Sequence, residues 1–359
     1  MRARPMLALA SALALSALLP ATSAPAASAS APPGYTAAGT LSDVAAVSAT
    51  DAWAVGYLGS AHPVPLVVRF DGNSWTRQTL PALAGGGVLY SLAAISAGDA
   101  WAVGEAGPPS HPRLLVLHWN GHAWRRFAVA APRRAVLFGV TAVSAGDIWA
   151  VGQDVTGPTL ILHWNGHSWR RSDGVNSLFA TLQAVAASSA SNIVAVGSAG
   201  SKNVIVRYNG RTWRRQPSPS PHGGSILYGV TAISARNAWA AGRYGRGSRP
   251  KTIILHWNGR SWRRSHVPAS LAGGVFDAVT ATSAGQVWAV GQNDTLGTLI
   301  ALWNGSSWSP QRCCGVSSGL YGVAAIGTSD AWATGWVSGS PAVDTFLAHW
   351  DGSTWSPAA

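Results

Sequence analysis

Carboxylates are scarce in this chain of 359 residues: 13 Asp and Glu stand against 25 Lys and Arg, and Glu105 is the only glutamate. A glycosidase of the usual kind needs two carboxylates at a defined separation, and those outside repeated turns are scattered along the sequence. Cysteine is confined to the adjacent pair Cys313 and Cys314. After the N-terminus no stretch approaches the roughly 20 apolar residues of a membrane span. No segment of useful length has a helical period, which excludes helical solenoids. There is no G-x-S-x-G elbow, no zinc motif and no phosphate loop. Neither a cofactor nor a metal is expected, and the net charge of +12 comes with no specific nucleic-acid partner.

Arg2 and Arg4 form a basic start, Met6 to Leu19 an apolar stretch, and Ala27-Ser28-Ala29 supplies small residues for cleavage; together these are the parts of a secretory signal peptide. The reading is a signal over 1–29, a short linker over 30–40 and a single domain over 41–359. The mature protein is expected to be secreted, extracellular and monomeric.

What is abundant is repetition. Trp53-Ala-Val-Gly56 recurs at Trp101, Trp149, Val194, Trp239, Trp288 and Trp332, at intervals of 44 to 49 residues. Each copy is followed by Asp or Asn, Gly, two residues and Trp, from Asp71-Gly72-Asn73-Ser74-Trp75 to Asp351-Gly352-Ser353-Thr354-Trp355. In the third copy, Leu137 to Ser144, Asp147 to Gly152, Thr159 to Trp164 and Ser168 to Arg171 read as four short strands, called a to d, separated by Gly-Asp and Asn-Gly turns. Four strands in about 45 residues is the size of a propeller blade. The fold expected is all-β: a seven-bladed β-propeller with four antiparallel strands per blade, strand a lining the channel and strand d the rim. The Gly ending strand b is read as letting a neighbouring side chain, a Trp, approach the backbone.

Strand b ending in Gly, strand c ending in aromatic-Asn/Asp-Gly, and Trp on strand d resemble the kelch-type repeats of galactose-oxidase-like propellers. The Asp71 to Trp75 turn and its equivalents look like a shortened Asp-box. The kelch double glycine is here a single Gly, and the Asp-box Asp is Asn in five copies. The chain as a whole resembles secreted, Trp-rich repeat propellers of actinobacteria. No Cys-linked Tyr and His set of a galactose oxidase copper site has a counterpart.

Of 19 tryptophans, all but Trp336 sit at repeated positions and read as packing. His118, His163, His256 and His349 share one strand c slot, filled elsewhere by Arg69, Arg207 and Leu302, so they cannot converge on one metal. Paired arginines follow the strand d Trp at 125–126, 170–171, 214–215 and 263–264. They read as protection of the outer edge or as a basic belt for anionic polymer.

The b-to-c and d-to-a connections vary and emerge on one face, where function is expected. Residues there that do not repeat are Tyr57, Tyr244 and Trp336, with carboxylates Glu105, Asp154, Asp294 and Asp344. Near the start of strand a, a slot held by Tyr90, Phe138, Leu182, Tyr228 and Tyr321 becomes Ser42 and Asp277 in blades 1 and 6. Cys313-Cys314 reads as a vicinal disulfide, with free thiols or intermolecular bridges as alternatives; in blade order it falls beside Asp277, Asp294 and Trp336. Trp336, Tyr57, Tyr244, Asp277, Cys313 and Cys314 are therefore the candidate ligand-binding residues. The function expected is non-catalytic binding of an extracellular glycan or protein through the variable-loop face. Alternatives are a secreted carbohydrate-active hydrolase or lyase and, third, attachment to anionic cell-wall polymer.

Overall fold

The computed structural model describes residues 34–358 except 84, 109, 131, 133, 246, 248, 296, 316–317 and 340–342; the expected signal over 1–29 lies outside the described residues. Seven four-stranded antiparallel sheets follow one another over residues 39–77, 87–126, 135–171, 181–216, 225–264, 275–311 and 318–357. Each is built from one contiguous repeat in the order a-b-c-d. The chain is a seven-bladed β-propeller. No helix among the described residues is long and apolar enough to cross a membrane.

The recurring turn explains its own composition. In blade 1, Asp71 Oδ1 accepts the backbone N–H groups of Asn73 and Ser74, each at 2.9 Å. Gly72 takes a left-handed backbone, as its six equivalents do at φ between 88° and 97°, a conformation costly for residues with a Cβ. An amide oxygen accepts these two bonds as well as a carboxylate does, and Asn120 makes the same pair at 3.1 and 3.0 Å.

Between blades the core is a repeated aromatic packing. Trp101 of strand b is fully buried, meets Trp169 of the next blade edge-on at 5.4 Å and lies under His118 at 4.2 Å. His118 Nε2 in turn pairs with Asp99 Oδ1 at 2.9 Å. His163, His256 and His349 repeat this arrangement with Asp147, Asn237 and Asp330. Arg69 substitutes in blade 1, its guanidinium 4.5 Å above Trp53 and bonded to Asp51 at 3.0 Å. The strand c histidines are thus scaffold, each clamped to its own blade.

The motif glycine of strand b, which the strand runs past rather than ending at, has a different partner from the Trp expected. Every strand a carries a β-bulge opposite it, as at Leu41/Asp43 facing Gly56 and at Leu137/Gly139 facing Gly152. The bulge pushes a strand a carbonyl onto the glycine. A Cβ at Gly56 would collide with Thr40 O, and one at Gly152 with Val136 O. The repeated glycine exists to admit the bulge, and the bulge leaves one residue per blade outside the ladder.

Ring closure uses the N-terminal segment rather than a shared sheet. Where one blade leads into the next, the connection bonds back to strand c of the blade it leaves, as Thr252 N–H does to Ala272 O at 3.0 Å and Thr252 Oγ1 to Leu271 O at 2.7 Å. At the junction of blades 7 and 1, residues 35–38 supply this connection. Thr345 N–H donates to Ala37 O at 2.8 Å, Ala37 N–H donates to Thr345 Oγ1 at 3.0 Å, and Thr345 Oγ1 donates to Tyr35 O at 2.9 Å. Gly59 N–H of blade 1 then donates to Ala38 O at 3.0 Å. The later part of the expected 30–40 linker is therefore a clasp. Thr345→Val leaves two backbone groups of the clasp without partners and is expected to lower stability by about 1–3 kcal/mol, read as a fall in the urea midpoint at unchanged slope.

Candidate functional site

The bulge residues form a ring at the variable-loop end of the channel: Ser42, Tyr90, Phe138, Gln183, Tyr228, Asp277 and Tyr321, in blade order. In blade 4 the slot belongs to Gln183, not to Leu182. Leu182 pairs with Gly197 before the bulge and is fully buried, whereas Gln183 is the unpaired residue lining the channel. A cavity of about 160 Å³ lies inside this ring, bounded below by the valines of strand a.

A second tier comes from strand b. The residue after each strand b glycine is Tyr57, Glu105, Gln153, Ser198, Arg243, Gln292 or Trp336, each half-buried. These residues lie inside strand b, which extends past the glycine in every blade, rather than in the loop beyond it. In each blade the second-tier residue is 15 positions after the bulge residue, and in blades 2, 5 and 7 the two tiers touch. Tyr90 Oη donates to Glu105 Oε1 at 2.9 Å, Arg243 Nε donates to Tyr228 Oη at 3.2 Å, and Trp336 hydrogen-bonds the Tyr321 side chain.

The mouth has two unlike sides. Blades 7, 1, 2 and 3 bring Trp336, Tyr321, Tyr57, Tyr90 and Phe138, with Ser42, Glu105 and Gln153 among them; Tyr90 and Phe138 are in ring contact at 5.2 Å, and burial, with Tyr57 nearby, raises the phenols of Tyr90 and Tyr321. Across from this aromatic arc, blades 4, 5 and 6 present Gln183 and Ser198, Tyr228 and Arg243, Asp277 and Gln292.

Two carboxyls line the channel and differ in employment. Asp43 accepts Val44 N–H at 2.8 Å, Ser91 Oγ at 2.8 Å and Leu92 N–H at 3.1 Å, while Ser91 Oγ accepts Val140 N–H of blade 3 at 3.3 Å. It ties three blades together. Burial pushes its pKa up to about 6 against the pull of those bonds. Asp277 has an Oδ2 that is buried and has no hydrogen-bond partner; burial pushes its pKa up to about 7, with Arg243 opposing.

Of the residues singled out from the sequence, Trp336, Tyr57 and Asp277 meet at the mouth. Tyr244 does not. Its ring lies under the Arg264 guanidinium at 4.5 Å and its hydroxyl accepts Arg264 Nη2 at 2.8 Å, so it faces the rim strand of its own blade. Cys313 and Cys314, their sulfurs in contact, follow strand d of blade 6. Cys313 bridges to Trp355 of the outermost strand of blade 7, and both pack on the core between these blades. Blade order had placed them near Asp277; radially they belong to the rim.

Sequence reasoning passed over Arg243, Gln292, Gln153, Ser198 and Gln183. The signal was available: Arg243, Gln292, Gln153 and Ser198 each directly follow the motif glycine, and Gln183 stands 14 residues before Gly197, as the other ring residues stand before theirs. Phe179, 70% exposed with a left-handed backbone at φ 47°, was also missed; it ends the short connection into blade 4. Larger grooves open at the rim, such as one of about 700 Å³ beside Asn203, Arg215 and Ser220. The strand d arginines there are mostly exposed.

The sequence matches no family model and no curated protein. Among solved structures, the chain is similar to YCF48 bound to D1 peptide, with TM-score 0.59, 15% identity, and coverage of 88% of this chain and 99% of that one. It is similar to a polysaccharide lyase of family PL25, an ulvan lyase bound to -[GlcA(1-4)Rha3S]-, with TM-score 0.60, 11% identity, and coverage of 90% and 96%. A third is the six-bladed fucose-recognising lectin of Aleuria aurantia, with TM-score 0.51, 15% identity, and coverage of 75% and 94%. At these identities the likeness is one of fold: the chain shares the propeller architecture of proteins that bind peptides or sugars.

Proposed function

We propose that the chain is an exported, non-catalytic propeller that binds an extracellular glycan at the mouth of its channel. One observation carries this reading: on the variable-loop face, five aromatic rings gather in blades 7, 1, 2 and 3, while blades 4, 5 and 6 carry hydrogen-bonding heads and the single ring of Tyr228. A sugar ring has an apolar C–H face that packs on aromatic rings and an edge of hydroxyls that needs polar partners. The repeated tryptophans take no part in this, being spent on packing between blades. The peptide-bound and sugar-recognising propellers above give the same kind of fold a precedent for either ligand class, and the paired arcs favour the glycan.

A glycan array read with the wild type, Trp336→Ala and Tyr57→Ala tests the site. Each variant is expected to lose about tenfold or more in affinity, the equivalent of ~1.4 kcal/mol. Binding unchanged in both variants places the ligand elsewhere, and an array without a hit alongside capture of a peptide turns the reading toward a protein ligand.

A second reading has its own support. A carboxyl with its pKa near 7 beside Arg243, with the phenol of Tyr321 close by, is a group able to move a proton at neutral pH. A carbohydrate-active lyase or hydrolase is the alternative, and new reducing or unsaturated ends released from array-positive glycans would establish it.

A further inference from the structure

Asp277 Oδ2 and Gln292 Oε1 are both buried and both without a hydrogen-bond partner. They belong to the same blade, one in each tier of the mouth, at the spacing that brings Tyr90 to Glu105 and Arg243 to Tyr228. The polar heads on either side are engaged: Arg243 with Tyr228, Trp336 with Tyr321. Among the described residues, blade 6 has in each tier a buried acceptor with no partner in the protein, held next to an indole and a phenol. Buried acceptors in folded proteins are paired, so an orphan carboxyl oxygen on the cavity wall, with an orphan amide oxygen in the adjoining tier, marks where a ligand completes the bonding.

The notch has room because of Gly319. A Cβ there would stand 2.6 Å from Trp336 Nε1 and 2.7 Å from Gln292 Oε1. The backbone of Gly319 is not left-handed, as it is absent from the positive-φ glycines, so its lack of a side chain serves space rather than conformation. Both heads occupy that space, which places the Gln292 amide at the edge of the Trp336 indole.

Two acceptors call for a ligand bearing donors, which on the glycan reading means hydroxyls, the N–H of an acetamido group, or an ammonium. An ammonium is opposed by Arg243 beside Asp277 and by a chain whose formal charge is +12. A carboxylate or sulfate would face the Asp277 carboxyl. Neutral hydroxyls meet neither obstacle, and a hydroxyl serves either end of the Gln292 amide because it both donates and accepts.

We propose that the Asp277 and Gln292 notch between blades 6 and 7 is the specificity subsite of the mouth, and that it takes a neutral sugar residue presenting two hydroxyls, with its C–H face toward Trp336 and Tyr321. The proposal rests on the glycan reading of the mouth and adds that charged sugars are discriminated against.

The probes are the methyl glycosides of glucose, galactose, mannose and fucose, set against methyl glucuronoside and glucosamine, titrated into the wild type, Asp277→Asn and Gly319→Ala. For the wild type at least one neutral glycoside is expected to bind about tenfold or more tightly than both charged sugars. Asp277→Asn loses about tenfold of that affinity and most of the discrimination against glucuronoside, because the repelling charge is gone. Gly319→Ala, which changes no polar group, weakens all neutral glycosides together. Thermal melts confirm that the variants fold. Preference of the wild type for glucuronoside or glucosamine overturns the subsite while leaving a glycan-binding mouth. Asp277→Asn with affinity and selectivity intact overturns it as well. No binding of any saccharide by the wild type removes the glycan reading and this proposal together.

Discussion

Asp277→Asn is expected to make the propeller more stable at neutral and alkaline pH, by an amount on the order of 4 kcal/mol. The carboxyl has its ordinary pKa of 3.8 in the unfolded chain and about 7 in the fold. Between those two values the folded state holds a proton that the unfolded state has released. Stability contributed by the group is therefore full below about pH 4 and is lost as pH rises through about 7. The groups facing it set the size: burial raises the pKa, Arg243 of blade 5 opposes, and Tyr321 of blade 7 has its own phenol raised by the charge. Asp43, with its pKa at about 6, adds a smaller loss in the same direction. Urea unfolding at about pH 4 and about pH 8 separates them. The variant and the wild type are expected to agree at the lower pH and diverge at the higher, and equal midpoints at both would remove the buried-charge account of Asp277. Ligand binding has the opposite sign: hydroxyls donating to the carboxylate favour its ionised form, so affinity rises through the same window. A side chain that costs stability at neutral pH, and gains a partner only when a donor arrives, is what the proposed subsite requires of Asp277.

Gly152→Ala is expected to cost about 3 kcal/mol or more, by forcing apart strands that have no slack. The new Cβ would run into Val136 O across the bulge. Relief requires the bulge to flatten, and flattening takes from Phe138 the unpaired bulge position that turns it to the channel. Gly146→Ala in the a-to-b turn is the matched control, since its nearest neighbour would be Gly166 Cα at 3.8 Å. Thermal melts are expected to show a large drop for the first and little change for the second. Equal effects would mean that the strand b glycine is not what admits the bulge.

Most of the fold was readable from the sequence, because a blade repeats its physical constraints seven times. The Asn-Gly and Asp-Gly turns, the Trp on strand d and the apolar strand b each follow from local requirements and appear in register. Bulges were not readable. They need two strands to be seen together, and strand a by itself shows only an apolar run. That is why the strand b glycine was matched to a Trp instead of to a carbonyl; Leu182 was taken for the slot although Gln183 stands 14 residues before Gly197, as Phe138 stands before Gly152. The mouth was half legible: Trp336, Tyr57 and Asp277 stood out as non-repeating aromatic or acidic residues. Arg243 and Gln292 were as close to the motif but belong to types that surfaces use freely. Distance from the axis was not legible at all. Blade order brought Cys313 and Cys314 near the site, and a place at a variable loop brought Tyr244, whereas radial position puts all three against rim strands.

The account as a whole rests on the claim that ligand recognition lies with the residues that do not repeat. Equilibrium titration of the best neutral array saccharide into the wild type, into Trp336→Ala and into a variant with all four strand d arginine pairs changed to serine tests it most directly. The expected result is a loss of about tenfold or more for Trp336→Ala and a change of less than about twofold for the arginine variant. Full binding by Trp336→Ala with loss in the arginine variant would contradict it, moving recognition from the mouth of the channel to the repeated rim.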